Sequence, residues 1–264
     1  MMQIRKIISF GCIVFALLIS GCASLQLREA NQDLTELYRA KTEAVNSGRW
    51  QQEISVDAAL SALAKEAAAE GAKSRNPELN RISYYRIAAT AAWQAEDPEV
   101  LIYADNGMAL CTTENSRKVP RDCAMLSVIP GFASVDELTK KINDINRRIN
   151  ATANPSTEQE VADVLSSISQ RVGALLRNRE KIKQSDTDPK LIAEIDRQLG
   201  DILCLHFNSL RGQAIEIAGN RSTVFKNAQC EEYKVMLEFR DLGISPRIAP
   251  CLPPGEIADP GGCN

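Results

Sequence analysis

From Ala23 onward the apolar positions recur at steps of three and four. Leu27, Ala30, Leu34, Leu37, Lys41 and Val45 fall on one face of a helix, with Lys41 its one polar member. Gly48 stands where that helix should stop. A second helix, very rich in Ala, is expected over about 56–73, ended by Asn76-Pro77, and a third over about 78–95. Asp97 can cap a fourth with Pro98 at its first position, running to about Cys111. Residues 112–131, with Pro120 and Pro130, read as a loop with room for a short helix at 124–128.

The second half changes character. Ser134-Val135-Asp136-Glu137 has the form of a capping box, and Val135, Leu138, Ile142, Ile145 and Ile149 follow it at helical spacing. Asn154-Pro155 ends that helix, and Thr157 opens the next with Glu160 as its capping partner. Val161, Leu165, Ile168, Val172, Leu175 and Ile182 hold heptad spacing, broken at one seam position by Arg179. Asp188-Pro189 starts a long helix with Ile192, Ile195, Leu199, Ile202, His206 and Leu210 down one face, widened by Leu203, Phe207, Ala214 and Ile217. Gly219-Asn220 stops it. Ser222 caps a last helix with Phe225, Ala228, Val235, Phe239 and Leu242 inward, ended by Gly243.

The chain is therefore expected to be all-α. Helices of about 28 residues are about 42 Å long, and four of them with seams at this spacing predict an antiparallel bundle or coiled-coil-like hairpins. Within the first half, Tyr84, Ile87, Ala88, Ala91, Val100 and Gly107, with Glu96-Asp97 at the turn, resemble one tetratricopeptide repeat. Val100 replaces the usual small residue and no Pro closes the repeat near Thr113. The resemblance covers about thirty residues and implies stacked helical hairpins there. The organisation expected is 1–21 as a cleaved signal peptide, 22–131 as helical hairpins, 132–243 as long helices and 244–264 as a Pro- and Gly-rich tail.

The N-terminus changes the picture. Arg5 and Lys6 precede an apolar run from Ile7 to Ile19, broken by Ser9, Gly11 and Cys12 and closed by small residues. That is the layout of a secretory signal, and the run is short for a membrane-spanning helix. Ile19-Ser20-Gly21-Cys22 resembles the lipobox of bacterial lipoproteins. The resemblance implies cleavage before Cys22 and acylation of that residue by three chains, enough to make dissociation from a bilayer negligible. Ala23 follows Cys22 where that family's inner-membrane retention signal would place Asp, so the expected address is the outer membrane, facing the periplasm. The first helix starts almost at once and no long Ser-, Gly- or Pro-rich tether follows Cys22, so the body is expected to sit close to the bilayer.

Of eight cysteines, Cys12 leaves with the signal and Cys22 takes lipid. Cys111, Cys123, Cys204, Cys230, Cys251 and Cys263 remain. An even set in an exported chain reads as disulfides, and six cysteines allow fifteen pairings. Proximity favours 111–123, 204–230 and 251–263. Zinc is the competing reading, against which stand the lack of C-x-x-C and the single His. The 31 basic residues less Arg5 and Lys6, set against 34 acidic ones, leave a charge near −5, which gives no support to nucleic-acid binding. Aromatics are only 5% of residues while Ala, Leu and Ile abound, which suits helices held together through small side chains.

Catalytic signatures are sparse. No G-x-S-x-G, H-E-x-x-H, P-loop or dinucleotide fingerprint occurs. His206 lies on a seam and reads as structural. Glu96, Asp97 and Glu99 cluster, but acids are favourable at a helix start in any case. Arg147-Arg148 and Arg177, Arg179, Lys181 and Lys183 read as solvated faces. The expectation is a protein that is not an enzyme, holds no cofactor, and touches membrane lipid through Cys22. It would serve as a scaffold or adaptor for an envelope protein complex. The alternative is a periplasmic peptide- or protein-binding or inhibitor module, using the stapled 111–123 segment or the tail. A hydrolase of envelope polymers comes third.

Overall fold

The computed structural model describes residues 25–151, 157–184 and 188–200, together with Ile202, Leu210, Gln213, Ile217 and Cys230. Among the described residues there are eight helices and no strand, so the chain is all-α. The helices are α1 (Leu25–Asn46), α2 (Trp50–Ala72), α3 (Glu78–Gln94), α4 (Val100–Leu110), α5 (Thr113–Lys118), α6 (Pro120–Ala151), α7 (Thr157–Lys183) and α8 (Pro189–Gly200). Two compact units divide the chain, the first running to Ile129 and the second starting at Pro130. None of these helices is long and apolar enough to cross a membrane.

In the first unit α1 ends as its pattern requires. Gly48 takes φ +66°, a left-handed conformation open to Gly at no steric cost, and the chain turns back into α2. Lys41 explains the polar gap on the α1 face. Its ammonium meets Asp57 Oδ1 on α2 at 2.7 Å and also donates to the carbonyl of Gln94. The seam accepts a charge because a partner and a carbonyl are waiting for it. Helix α2 starts six residues earlier than its pattern suggests, at Trp50 rather than Val56. Helix α3 is the centre of the unit, packed against α1, α2 and α4. Every residue from Ile82 to Trp93 is buried. Ala88, Ala89, Ala91 and Ala92 are fully enclosed, so neighbouring backbones approach closely on several sides.

Gly107 shows how close that approach is. A Cβ there would lie 2.7 Å from Leu126 Cδ1 and 2.9 Å from Tyr85 Cβ. Leu126 is fully enclosed and a backbone-proximal Cβ cannot swing away. Gly107→Ala should therefore cost about 1–3 kcal/mol, the usual penalty of overpacking. Urea unfolding followed by circular dichroism reads it, and an unchanged midpoint would contradict the contact.

The largest departure from the pattern lies between Thr112 and Gly131. Residues 112–131 are not a loop holding a short helix at 124–128. They form α5 and the first part of α6, a 32-residue helix that continues through Pro130. Pro120 sits at its first position, where a missing N–H costs nothing. Pro130 forfeits one backbone hydrogen bond. The helix survives because every residue from Cys123 to Gly131 is buried, and that apolar burial outweighs one lost bond. Ser134-Val135-Asp136-Glu137 is accordingly not a capping box. Ser134 lies inside α6 with its hydroxyl buried and without a hydrogen-bond partner among the described residues. Glu137 pairs instead with Lys141 one turn on, at 2.7 Å.

In the second unit most of the described seam residues lie where their spacing puts them, while Ile192 of α8 is only half-buried. Val161, Leu165, Ile168, Val172, Leu175 and Ile182 of α7 are all buried, as are Ile195, Leu199, Ile202 and Leu210. A Cβ on Gly131 would meet Ile202 Cδ1 at 2.8 Å and Leu175 Cδ1 at 3.0 Å, so α6 passes close to both. Arg179 occupies the broken seam position and is only 4% exposed. Asp196 of α8 grips its guanidinium with two oxygens, at 2.7 and 3.0 Å, and Glu180 adds a contact at 3.3 Å. The bidentate Asp196 carboxylate holds the Arg179 pKa above its ordinary value against the opposing effect of burial. The Glu160 carboxylate takes both Nη atoms of Arg148 on α6. Asp188 does cap α8, its Oδ1 accepting from the Lys190 N–H at 2.9 Å.

Several expected features fall outside the described residues. They are the signal segment with Cys12 and Cys22, the Asn154-Pro155 break, Leu203, His206, Phe207 and Ala214, the helix capped by Ser222, and the tail from Ile244.

Candidate functional site

Sequence spacing singled out cysteines, and the structure organises the first unit's polar interior around one pair. Cys111 and Cys123 are joined, their Cα atoms 5.8 Å apart and both side chains fully buried. The bond closes a short helical excursion. Thr112 caps α5 by accepting from the Asn115 N–H at 3.2 Å. The Asn115 amide donates to the Leu110 carbonyl at 2.9 Å and to Glu78 Oε2 of α3 at 3.0 Å. This stapled segment is thus a short helix tied back to α3, not a loop, with Asn115 and Ser116 buried and Thr113, Glu114, Arg117 and Lys118 facing outward. Cys230 also carries a disulfide. Cys204, Cys251 and Cys263 lie outside the described residues.

Beside Cys123 stands the residue the sequence reading missed. Asp122, in the first turn of α6, accepts from Arg86 Nε of α3 at 3.1 Å and from the Ser83 hydroxyl. The Arg86 guanidinium also donates to Asn31 Oδ1 of α1. Arg86 is 5% exposed, within the run from Ile82 to Trp93 that is buried throughout. One charge pair therefore ties α1, α3 and α6 together. No sequence signal marked it, because an Arg inside an Ala-rich helix and an Asp near a helix start each look ordinary alone.

The acidic cluster at the α3–α4 turn is structural too. Asp97 Oδ1 accepts from the Glu99 N–H at 3.0 Å, and the carboxylate of Glu99 accepts from Tyr103. Burial, then the Glu99 carboxylate, hold the Tyr103 phenol protonated well above the ordinary tyrosine range. Of the basic runs, Arg147 pairs with Asp144 and Arg148 with Glu160, while burial draws the Lys181 ammonium below its usual value. No group of three or more potential metal ligands occurs among the described residues.

No family model, curated protein or solved structure matches this chain. What the molecule can do must be read from its own surface.

There the contrast lies between two neighbouring helices. The outward residues of α1 include Glu29, Asp33, Glu36 and Glu43. Helix α2 instead leaves Trp50 and Ile54 to solvent, 64% and 59% exposed, and Ala58, Ala62 and Ala69 beyond them. On α4, Ile102 is 58% exposed. Large apolar side chains grouped on one helix face are a feature of contact surfaces.

Proposed function

We propose that the protein is an outer-membrane lipoprotein, held at the periplasmic face through acylated Cys22, whose helices form a non-enzymatic scaffold or adaptor for an envelope complex. The observation that carries the reading is Ile19-Ser20-Gly21-Cys22, two residues ahead of the helical body. The folded body supports it. Its internal charges, Arg86 with Asp122 and Arg179 with Asp196, are used to lock helices, and its exposed apolar side chains lie on helix faces. A degenerate tetratricopeptide-like hairpin over α3 and α4 belongs to the same reading.

The anchor and the adaptor role are tested separately. Cys22→Ala should accumulate as an unprocessed precursor on a gel of whole cells, and normal processing with membrane attachment would refute the anchor. Crosslinking in cells, followed by mass spectrometry of the captured complex, should return one dominant envelope protein. Turnover of peptidoglycan by the purified protein, abolished by a single carboxylate change, would replace the adaptor reading with a hydrolase.

A further inference from the structure

The exposed face of α2 calls for an occupant. Trp50 and Ile54 open it, and Ala58, Ala62, Lys65 and Ala69 continue it at steps of four and three, so all six share one side of the helix. Lys65 lies within the stripe, exposed Arg49 and Arg75 lie at its two ends, and Glu66 stands on its edge. Exposed Gln51 and Ser55 lie beside the apolar residues, and the net positive charge comes from Arg49 and Arg75 flanking the helix, on a chain that is net acidic. The outward side of α1 sets exposed Glu29, Asp33, Glu36 and Glu43 against exposed Arg28 and Arg39, and so is net acidic.

Chain geometry says where this face is. Ala23 and Ser24 alone separate Cys22 from Leu25, and three residue steps reach at most about 11 Å. Helix α2 doubles back on α1 with Asp57 level with Lys41. That register sets Lys73, just past the end of α2, level with Leu25. Trp50 then lies about 33 Å along the axis from that end. A body held this near its anchor meets the bilayer at high effective concentration, so a modest second contact suffices to orient it.

The geometry points to the lipid bilayer as the occupant: α2 lies along the membrane surface, with Trp50 and Ile54 at the boundary of headgroups and acyl chains and Lys65, Arg49 and Arg75 against anionic phosphates. Trp is favoured at that boundary, and a helix with one apolar face and flanking basic residues binds there by apolar burial and by attraction to anionic lipid. This rests on the reading of Cys22 as acylated, and the test separates the two.

The full chain is reconstituted in phosphatidylethanolamine–phosphatidylglycerol vesicles with brominated acyl chains, and tryptophan emission is compared with that in unbrominated vesicles. The same sample is assayed for Cys22 acylation by mass spectrometry. The difference between the wild type and Trp50→Phe reports Trp50 alone, since the other tryptophan, Trp93, is buried. The expected result is several-fold quenching of the Trp50 component, falling to background in Ile54→Glu with Lys65→Glu. An acylated protein with unquenched Trp50 overturns the inference, leaves the anchor standing and assigns the face to a protein partner. An unacylated protein with unquenched Trp50 overturns both. Quenching without acylation upholds the face and removes the anchor.

Discussion

Asp122→Ala should lower the stability of the first unit by about 3–5 kcal/mol, the cost of stranding a buried charge. The argument rests on position. Arg86 has a side chain 6% exposed, and Asp122 is its carboxylate partner. Removing Asp122 leaves a guanidinium that cannot lose its proton and cannot reach water, with one neutral acceptor at Asn31. It also takes the acceptor from the Ser83 hydroxyl. Arg86→Met should behave differently. The more buried charge leaves with its desolvation cost, and the long side chain still fills the space. The Asp122 carboxylate left behind is 16% exposed, sits in the first turn of α6 and keeps the Ser83 hydroxyl, so the loss should be smaller than that of Asp122→Ala. Pairing Asp122→Ala with Arg86→Met should then restore most of what the first change removed. Urea unfolding by circular dichroism measures all three. No recovery in the double variant would mean that the pair is not the tie between α1, α3 and α6.

Reducing or deleting the Cys111–Cys123 bond should cost about 3 kcal/mol, because the crosslink limits the unfolded chain across a loop of that size. The bond has a second effect that a loop calculation leaves out. Cys123 follows Asp122 directly, so the crosslink also holds the start of α6, and with it the Asp122–Arg86 pair, to the end of α4. Cys111→Ala with Cys123→Ala should therefore cost less when Arg86→Met is already present, since the node that the bond helps to position has gone. A double-mutant cycle read by thermal unfolding gives the coupling. Strict additivity would show the staple acting on the unfolded chain alone.

How much of this was legible beforehand depends on the range of the forces concerned. The α1 stop at Gly48, the α8 start at Asp188-Pro189 and the seam of α7 were all readable. Each is a matter of neighbours three or four residues apart or of one residue's own backbone preference. Arg179 was visible as a break in the α7 pattern, but its partner was not, since Asp196 is 17 positions away on another helix. Lys41 was visible in the same partial way, and Asp57 lies 16 positions off.

Asp122 was not legible at all, because its meaning comes from Arg86, 36 positions away. The stretch through Pro130 was misread for a related reason. Two prolines and a capping-box pattern are local signals for a break, and locally they are sound. Burial on every side of residues 123–131 reverses them, and that depends on which helices arrive around that stretch. The exposed face of α2 belongs with these, since nothing in its composition tells an outward Ala from an inward one.

By itself, then, the sequence determined the all-α class, several helix ends such as Gly48, Asn76-Pro77 and Asp188-Pro189, and the α7 seam, because periodicity and capping are short-range. Only the tertiary structure decided that α6 runs unbroken through Pro130, that Arg86 and Arg179 are buried with partners, and that Trp50 and Ile54 stay outside. Burial and charge pairing join residues that the chain keeps far apart, and their free energies exceed the local preferences that a sequence displays.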